Sequence, residues 1–575
     1  MKIETIKKKK LRLLSNLEDY KKTYKNFRWK EAESELSWFA GHKINAAYCA
    51  VDRHISSWRK NKVALYWEGE NGDQKEYSFL QLSCLSNRVA NFLKKLKVKR
   101  GDRVFIFLPR IPELYISFLG ILKTGAIAGT LFQAFGPSGL LDRLSNSEAK
   151  FVITTRELCG RVRKIRNKLP HLEKFIIVDD VARKKDEVDY QAEMEKAEDE
   201  FRIAEMSPDD PAFMLYTSGT TGKPKGVVHR HLALLQEYMT SRWVLDIHDE
   251  DILWCTADPG WVTGIGYTIL GVWSAGASEV VYDGRFEPGR WYEILEKYKV
   301  TIWYTAPTAI RMLMKAGKKL VHGYDLENLR HLASVGEPLN PEAIRWGMKA
   351  FGLPFHDNWW QTETGSICIA NYPTMEIKLG SMGRPIPGVK TSIVDDKGKE
   401  LPPYKIGNLA LRPGWPSQMA KIWKNRKKYN SYFVDNWYIS GDLAYRDEDG
   451  YFWFVGRADD VIKTAGERVG PFEVESSLIE HPAVVEAGVI GKPDPERGEI
   501  IKAFVVLKPD VKPTSSLKEE ISQFVKKNLA GHAYPKEIEF RDSLPKTRSG
   551  KIMRRILKAQ ELGLPIGDTS TLEEF

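Results

Sequence analysis

Cysteine is scarce in this chain, and the cysteines that occur lie far apart. The 575 residues contain five of them, Cys49, Cys84, Cys159, Cys255 and Cys368. No two have the spacing of a zinc cluster or of a compact disulfide framework, which argues against both kinds of site. We therefore expect the cysteines to be small buried side chains.

Long apolar runs are also missing. The longest candidate, Phe118 to Phe132, is interrupted by Lys123 and by glycines. It falls short of the roughly 20 apolar residues that a membrane-spanning helix needs. The N-terminal segment carries Lys7 to Lys10 in a polar context and lacks the apolar core of a signal peptide. A cytoplasmic protein without membrane insertion is expected.

The positive charge has no concentrated tract. The formal net charge is +11 and the isoelectric point is near 9.0, but the basic residues are dispersed along the chain. A small anionic substrate accounts for this surplus as well as nucleic acid does. We expect no nucleic-acid partner and interpret Lys7 to Lys10 as a solvated terminus. A basic nucleic-acid-binding protein is kept as an alternative of another class.

The composition, 42% hydrophobic and 28% charged residues, is that of globular protein, and the length predicts two or more domains. Between about Lys62 and Ile310, short apolar or β-branched runs precede helical patterns, which predicts a large layered α/β domain. The expected strands are Arg103 to Leu108, Phe151 to Thr154, Lys174 to Val178, Ala212 to Leu215 and Thr301 to Tyr304. The expected helices are Glu113 to Lys123 and Thr308 to Lys315, with a surface helix and a connection within Glu187 to Asp210.

The texture changes after Gly383, where glycine and proline turns separate short strands at Gly407 to Arg412 and Tyr451 to Val455. This pattern predicts a β-rich subdomain of the large domain. A second change follows Gly456 and predicts a small α+β domain. Its expected helices are Gly470 to His481 and Leu517 to Leu529, and its expected strands are Val484 to Ile490 and Ile501 to Leu507.

The most informative segment is Tyr216 to Gly226, which has three glycines, five hydroxyl side chains and two lysines in eleven residues. Glycines let backbone N–H groups approach an anion, while hydroxyls and lysines add donors and positive charge. Pro224 occupies the place where a standard P-loop has Ser or Thr after its lysine. The segment is therefore interpreted as a phosphate-binding loop of another kind.

Further segments carry residue types suited to nucleotide chemistry: Ser334 to Pro338, Asp357 to Gly365, Tyr438 to Asp442, Arg457, Arg468 and Lys546 to Lys551. Each taken alone has a structural alternative. Asp442 could form an Asx turn, and Glu363 could cap a helix. Lys551, with Arg554 and Arg555, could belong to a solvated basic face, and Trp359 with Trp360 could be core packing.

Taken together and in this order, these segments resemble the adenylate-forming superfamily, and most closely its AMP-forming acetyl-CoA synthetases. The resemblance covers about Asn45 to Met553. It implies an adenylate-forming enzyme fold, with a large domain over residues 1–458 and a mobile C-terminal domain over residues 459–575 that turns at Asp459. It also implies a ligase that joins acetate to coenzyme A through an acyl-AMP, with ATP, Mg²⁺ and coenzyme A as cofactors and cosubstrates. Propionate is the alternative acid.

The resemblance assigns roles residue by residue. The β and γ phosphates are assigned to Thr217, Ser218, Gly219, Thr220, Thr221, Gly222 and Lys223. Adenine and the α-phosphate are assigned to Gly336, Glu337, Pro338, Asp357, Asn358, Trp359, Trp360, Gln361 and Thr362. Ribose and phosphate contacts are assigned to Asp442, Arg457 and Arg468. Lys551, Thr362 and Glu363 are the catalytic candidates, with Glu363 on Mg²⁺.

Three further groups are implied in the same way. Coenzyme A is assigned to Ala465, Gly466 and Lys526, although Lys526 stands where some relatives have Arg, so bidentate phosphate geometry is lost. A second cation site is assigned to Ile479, His481 and Val484, with a structural histidine as the alternative. Acetylation and deacetylation enzymes acting on Lys551 are a further implied kind of partner.

The acid pocket is assigned to Val262, Thr263, Val335 and Trp360. The bulky indole of Trp360 matches the position that limits the pocket in acetate enzymes. One departure affects its shape, because Ile265 and Gly266 stand where many such enzymes have His and Ser. Within the superfamily, a carrier-loading adenylation module or a luciferase-like oxygenase is the alternative function. We disfavour both because the indole would block a larger acid and because no carrier domain follows Phe575.

Overall fold

The computed structural model describes residues 4–7, 11, 13–217, 224–464, 467–529, 533–547 and 551–566, and for Arg468 the backbone alone. These ranges form a large N-terminal domain with two mixed sheets and a β-rich subdomain, followed by a small C-terminal domain. The predicted fold class is confirmed.

The first sheet has eight strands and provides the strand that leads into the phosphate-loop segment. A parallel core is flanked by the antiparallel hairpin that Pro211–Thr217 forms with Lys225–Arg230. Val104 is aligned with both Ala128 and Phe151, which fixes the register of the core. In spatial order the strands are Lys421–Ile422, Lys225–Arg230, Pro211–Thr217, Ile127–Thr130, Arg103–Phe107, Phe151–Thr154, Lys174–Ile177 and Glu187–Asp189.

The second sheet has nine strands, six of them parallel and adjacent. Cys255 is aligned with Tyr304, and Thr305 with Ser334, so the carboxyl ends of neighbouring strands lie side by side. In spatial order the strands are Arg384–Pro385, Ile369–Ala370, Phe355–Trp359, His331–Ser334, Ile302–Thr305, Ile252–Cys255, Ser278–Asp283, Val63–Gly69 and Gln74–Ser78.

The β-rich subdomain and the C-terminal domain each contain one five-stranded sheet. The subdomain sheet is antiparallel and consists of Thr391–Val394, Gly407–Leu411, Trp437–Arg446, Phe433–Val434 and Phe452–Arg457. The C-terminal sheet consists of Glu467–Val469, Ile462–Thr464, Gly498–Leu507, Val484–Asp494 and Glu537–Phe540. A separate pair joins Thr5–Ile6 to Ile377–Lys378.

Helices cover the sheets, and six of the described helices begin with a proline, whose fixed φ and missing N–H suit the first turn. The α-helices are Tyr20–Asn26, Trp29–Ala32, Ala46–Ala50, Phe79–Lys95, Pro112–Lys123, Pro137–Ser147, Arg156–Arg163, Tyr190–Lys196, Ala233–Trp243, Gly271–Ser274, Pro288–Lys297, Pro307–Ala316, Lys318–Val321, Pro341–Ala350, Arg426–Asn430, Pro471–Ile479, Ser515–Asn528 and Arg554–Leu562. Short 3₁₀ helices span Glu33–Glu35, Asp52–His54, Trp58–Asn61 and Arg166–Lys168, and a π-helix spans Gly264–Leu270.

The predicted alternation of strands and helices is confirmed, with Phe151–Thr154 matching residue for residue. The strand Glu187–Asp189 was missed because an acidic run seldom indicates a buried strand. Its Glu187 side chain is buried against Arg156 and Arg163, which pair with the carboxylate. Burial of this charge is tolerated because it is paired.

Four of the cysteines are buried as expected, and Cys84 is half-buried. Within the described ranges, no helix combines the length and apolar character that crossing a membrane requires. The small domain contacts the large one where Gly470 meets strand Phe452–Arg457, since a Cβ on Gly470 would lie 2.1 Å from the Val455 carbonyl oxygen. Asn340 Nδ2 also donates to Ser476 Oγ across this contact, at 2.7 Å.

Candidate active site

Two of the predicted nucleotide segments lie side by side because they follow adjacent strand ends. Val335 comes directly after strand His331–Ser334, and Trp360 comes directly after strand Phe355–Trp359. Ser334 is aligned with Asp357 between these parallel strands. Ligands of open parallel sheets bind beyond the carboxyl ends of the strands, which is where these residues lie.

The two ends of the phosphate-loop segment lie in the hairpin of the first sheet. Thr217 is aligned with Lys225, and six of the predicted phosphate-binding residues stand between them in the sequence. The hydroxyl of Thr217 is buried and has no hydrogen-bond partner among the described residues. Such an orphaned donor suits an anion. Outside the described residues lie Ser218, Gly219, Thr220, Thr221, Gly222 and Lys223.

A cluster of three side chains connects this hairpin to Glu363. Lys225 Nζ donates to the Tyr432 hydroxyl at 2.8 Å, and that hydroxyl donates to Glu363 Oε1 at 2.9 Å. Lys225 Nζ itself lies 3.8 Å from Glu363 Oε1. Burial lowers the pKa of Lys225, and the charge of Glu363 opposes that shift. The assignment of site residues by sequence missed both Lys225 and Tyr432.

The turn that carries Thr362 and Glu363 has a tightly constrained backbone. Gly365 has φ +77°, and a Cβ there would lie 2.2 Å from the Ser417 carbonyl oxygen. Trp415 Nε1 and Ser417 Oγ both donate to the Thr364 carbonyl, at 2.9 and 2.7 Å. The turn is thereby fixed, and Thr362 and Glu363 are presented at the strand ends.

Asp442 is buried and accepts hydrogen bonds from three sides. Trp359 Nε1 and Gln361 Nε2 donate to its Oδ2 at 2.9 and 3.0 Å. Arg457 Nη1 donates to Oδ1 at 2.8 Å and is aligned with Asp442 across neighbouring strands. Burial acts to lower the pKa of Arg457, but the Asp442 and Asp459 charges outweigh it and the net pKa is raised. The Asp442 carboxylate is therefore held in one orientation, which suits a ribose diol.

The residues predicted to line adenine are held in place by hydrogen bonds to Asp357 and Glu337. Asp357 is buried, and Leu339 N donates to its Oδ2 at 3.3 Å. Burial raises the pKa of Asp357 to about 8. Glu337 is held by Thr308 Oγ1 and Arg311 Nη2, each at 2.9 Å. Gly336 has φ +101° and open space at the Cβ position, so the backbone there is uncovered by a side chain. Pro338 follows directly in the same loop.

The other predicted adenine neighbour, Asn358, has both ends of its side chain engaged. Tyr304 donates its hydroxyl hydrogen to Asn358 Oδ1 at 3.0 Å, and Asn358 Nδ2 donates to the Ser334 carbonyl at 2.9 Å. These two bonds lie at the carboxyl end of the second sheet. They make Asn358 a brace between adjacent strands.

Three of the four predicted acid-pocket residues share one hydrophobic cluster. Val262 and Val335 are buried and Trp360 is partly buried in it, while Thr263 precedes the π-helix and is half-exposed. Gly264 packs so closely that a Cβ would lie 2.5 Å from the Asp258 carbonyl oxygen. The indole of Trp360 makes an edge contact with the Tyr267 ring, with centroids 5.3 Å apart.

The C-terminal residues are placed separately. Lys551 is exposed and lies along the interdomain crevice that Glu337 and Arg554 also line. Asp459 Oδ1 lies 3.7 Å from Arg457 Nε. Lys526 is exposed, with its Nζ 5.2 Å from the centre of the Tyr534 ring, and the structure does not bring it to the strand ends. Ala465 and Gly466 lie outside the described residues, as does the Arg468 side chain.

The predicted second cation site has a histidine with local partners. His481 Nδ1 accepts from Ala483 N at 3.2 Å, and its ring makes an edge contact with Phe524 at 5.0 Å. The backbone N–H of Val484 donates to the His481 carbonyl at 3.0 Å, and Ile479 ends the preceding helix. In the described part of the chain, no three His, Cys, Asp or Glu side chains form a metal cluster. The assignment of this site stays a prediction.

Comparison with known proteins identifies the family of the chain. The model of the AMP-binding enzyme family matches residues 51–420, and that of the AMP-binding enzyme C-terminal domain matches residues 473–551. The chain is 57% identical over 562 residues to an acetyl-coenzyme A synthetase of Bacillus subtilis (strain 168), covering 97% of this chain and 98% of that protein. It is 45% identical over 564 residues to an acetyl-coenzyme A synthetase of Methanothrix thermoacetophila, covering 93% and 86%.

Two solved structures share the fold. An acyl-CoA synthetase of Brucella canis superposes with a TM-score of 0.75 at 35% identity, covering 95% of this chain and 99% of that one. The anthranilate CoA ligase AuaEII in complex with anthranoyl-AMP superposes with a TM-score of 0.83 at 32% identity, covering 91% and 98%. The chain belongs to the AMP-binding enzyme family.

Proposed function

We propose that this chain is an AMP-forming acetyl-CoA synthetase. Relatives of that name match nearly its whole length, and the predicted acid pocket ends at the indole of Trp360. The reaction has two steps, because a carboxylate has no adequate leaving group for attack by a thiol. ATP first converts acetate into acetyl-AMP, and coenzyme A then displaces AMP to give the thioester.

The main structural support for this function is the position of the turn from Gln361 to Gly365. On one side, Glu363 is tied through Tyr432 to Lys225 and hence to the phosphate-loop hairpin. On the other side, Gln361 is bonded to Asp442, the predicted ribose ligand. A single nucleotide lying across this turn would place its phosphates toward the hairpin and its ribose toward Asp442.

In the first step an acetate oxygen attacks the α-phosphorus, the bond to the β-phosphate bridging oxygen breaks, and pyrophosphate leaves. Negative charge develops on the non-bridging oxygens, so donors must already point there. We assign this role to Thr362 and Lys551, and pyrophosphate binding to Thr217 and the loop that follows. Loss of one such donor typically costs about 3 kcal/mol, or about a hundredfold in rate.

The residues around Glu363 fit a magnesium ion bound mainly through the nucleotide. Mg²⁺ typically takes one or two carboxylates and completes its coordination with phosphate oxygens and water. Glu363 is a half-buried carboxylate at the strand ends, with Tyr432 and Lys225 both on Oε1. Glu363 would hold the ion, which would neutralise phosphate charge.

In the second step the sulfur of coenzyme A attacks the acyl carbon and AMP departs with the former acetate oxygen. We propose that the C-terminal domain, residues 459–575, turns at Asp459 between the steps. Lys551 would then leave, while the backbone near Ala465 and Gly466 would approach the pantetheine of coenzyme A. Lys526 would meet the nucleotide end of coenzyme A as a point charge. Acetylation of Lys551 would remove its charge and block the first step. The cytoplasmic location stays a prediction.

Acid-dependent exchange between ATP and labelled pyrophosphate tests the proposal. The acids to compare are formate, acetate, propionate, butyrate and benzoate, each followed by addition of coenzyme A. Exchange with acetate, and thioester formation after coenzyme A is added, are expected. Exchange with benzoate in preference to acetate would contradict the proposed pocket, and exchange without discharge by coenzyme A would contradict the second step.

A further inference from the structure

Tyr267 occupies the centre of the π-helix that follows the predicted acid pocket. Its side chain is fully buried. The wider turns of a π-helix are uncommon and often occur at functional sites. Here the widened turn places an aromatic ring immediately behind Trp360, the residue that we propose ends the pocket.

The Tyr267 hydroxyl is fixed by three partners. It lies 2.8 Å from both Thr240 Oγ1 and Ser366 Oγ, and it accepts a hydrogen bond from Ile367 N at 3.0 Å. Thr240 and Ser366 are themselves 2.9 Å apart. A hydroxyl saturated in this way leaves the ring a single position, since any tilt would break bonds in a buried network.

The indole of Trp360 is held differently. Its N–H is buried near the Tyr304 hydroxyl but has no hydrogen-bond partner at ordinary distance within the described ranges. Its neighbour Trp359, in contrast, is anchored to Asp442. The position of the Trp360 ring therefore depends on packing and on the neighbouring Tyr304 hydroxyl, and the ring that it meets edge-on is Tyr267, at an interplanar angle of 76°.

The support behind Tyr267 is close-packed. Tyr304 makes a second edge contact with its ring at 5.6 Å. Helix Ala233–Trp243 lies close to the end of the π-helix, because a Cβ on Gly271, the first residue after it, would be 2.3 Å from Ser241 Oγ. Because both helices are fixed by this contact, the ring cannot retreat unless the side chain is shortened.

We propose that Tyr267 is a positioning residue that sets the depth of the acid pocket by fixing the indole of Trp360. The inference rests on the proposed function, since it assumes that Trp360 limits acid length. Shortening Tyr267 leaves a cavity, into which the indole can rotate, and the pocket lengthens. Loss of the hydroxyl alone releases the anchor but keeps the ring, so the effect is smaller.

The test compares kcat/KM for acetate and butyrate in the full-length chain, measured as AMP release with saturating coenzyme A. The ratio of butyrate to acetate should rise about tenfold in Tyr267→Leu, at the lower end of the range for one methylene in an apolar pocket, and by a smaller factor in Tyr267→Phe. The change should appear in the KM of the acids, while the KM for ATP stays constant. If Tyr267→Leu does not fold, the Phe variant decides alone.

Tyr292→Leu is the matched control. Tyr292 is also fully buried in the large domain, but its ring contacts Tyr324 and Phe351. The Tyr292→Leu variant should be less stable than the unmutated chain, but its ratio of kcat/KM for butyrate over acetate should be unchanged. If the unmutated chain is active with acetate and both Tyr267 variants keep its butyrate-to-acetate ratio, the role of Tyr267 is overturned but the proposed function is not. Absence of acetate-dependent AMP release in the wild-type chain would overturn the inference and the proposed function together.

Discussion

Lys225 and Glu363 are separated by 138 positions in the sequence, yet Lys225 Nζ lies 3.8 Å from Glu363 Oε1, with the hydroxyl of Tyr432 bonded to both. The contact joins the hairpin of the first sheet to a strand end of the second. Lys225, at the end of the phosphate-loop segment, and Glu363, the candidate magnesium ligand, therefore interact directly and through Tyr432.

Replacing Tyr432 by Phe tests this interaction. The variant removes one hydroxyl and two hydrogen bonds to charged groups, each worth about 1.5–3 kcal/mol. We expect kcat for ATP–pyrophosphate exchange to fall about tenfold, with a higher magnesium concentration for half-maximal rate. Tyr429→Phe, in the neighbouring helix Arg426–Asn430, is the control and should leave both quantities unchanged. If the magnesium concentration for half-maximal rate is unchanged in Tyr432→Phe, the Tyr432 hydroxyl does not contribute to magnesium binding.

Gly365→Ala tests whether the turn must keep its backbone path. The new Cβ would lie 2.2 Å from the Ser417 carbonyl oxygen, so either this turn or the backbone at Ser417 must shift. Because the same turn presents Thr362 and Glu363, adenylation should fall by about a hundredfold, as for a displaced charge-stabilising group. Gly72→Ala is the matched control, since Gly72 also has positive φ, +88°, but open space at its Cβ. Equal rates in the two variants would show that the turn tolerates displacement.

Lys551→Ala should separate the two steps. Formation of acyl-AMP should fall by about a hundredfold or more, because the variant loses the cation that we propose faces the α-phosphate. Thioester synthesis from supplied acetyl-AMP and coenzyme A should be preserved. Lys527→Ala, on an exposed position of helix Ser515–Asn528, is the control for loss of a surface charge. Equal loss of both steps in Lys551→Ala would refute the division of labour between the two domain positions.

Buried histidines predict acid sensitivity of the fold. Burial lowers the pKa of His231 to about 3, and Ala46 N donates to its Nδ1 at 3.1 Å. Below about pH 6.5 the unfolded chain binds a proton that the folded chain refuses, so stability is lost as pH falls from about 6.5 toward 3. The limit for one site is about 1.4 kcal/mol per pH unit.

His231→Asn keeps an acceptor for Ala46 and cannot titrate. Its melting temperature should therefore fall less between pH 7 and 5 than that of the wild-type chain. His42→Asn is the control, because His42 is exposed and has a positive φ of 56°, which asparagine tolerates. A wild-type slope in His231→Asn would mean that this histidine is not the source of the acid sensitivity.

Trp360→Gly should admit longer acids. Removing the indole frees volume at the end of the pocket, and each further methylene gains about 1–3 kcal/mol of binding. The ratio of kcat/KM for butyrate over acetate should rise by at least about tenfold. An unchanged chain-length profile, measured over formate to valerate, would remove Trp360 from the pocket.

The sequence was sufficient for the parts of the molecule that depend on local pattern. Strand Phe151–Thr154 was predicted in full, and the helix predicted over Glu113 to Lys123 begins one residue earlier, at Pro112. The resemblance identified Asp442 and Gln361 separately, and the structure places them 3.0 Å apart. That distance depends on how the β-rich subdomain packs on the second sheet, which no local pattern encodes.

The residues that sequence reasoning missed act through long-range contacts. Lys225 stands two positions after Lys223 in a visibly basic loop, yet only the hairpin register directs it toward Glu363. Tyr432 is an ordinary tyrosine in sequence. Tyr267 depends on a π-helix, whose extra residue per turn leaves no periodic signal that distinguishes it from a buried α-helix.

In the proposed first step, one acetate oxygen becomes bonded to the α-phosphorus of ATP. Acetate labelled with ¹⁸O in both carboxylate oxygens tests it directly, in one turnover with Mg²⁺, ATP and coenzyme A. The proposed reaction should give AMP that carries one labelled oxygen, together with unlabelled pyrophosphate. Label in inorganic phosphate, or thioester formation with unlabelled AMP, would contradict it.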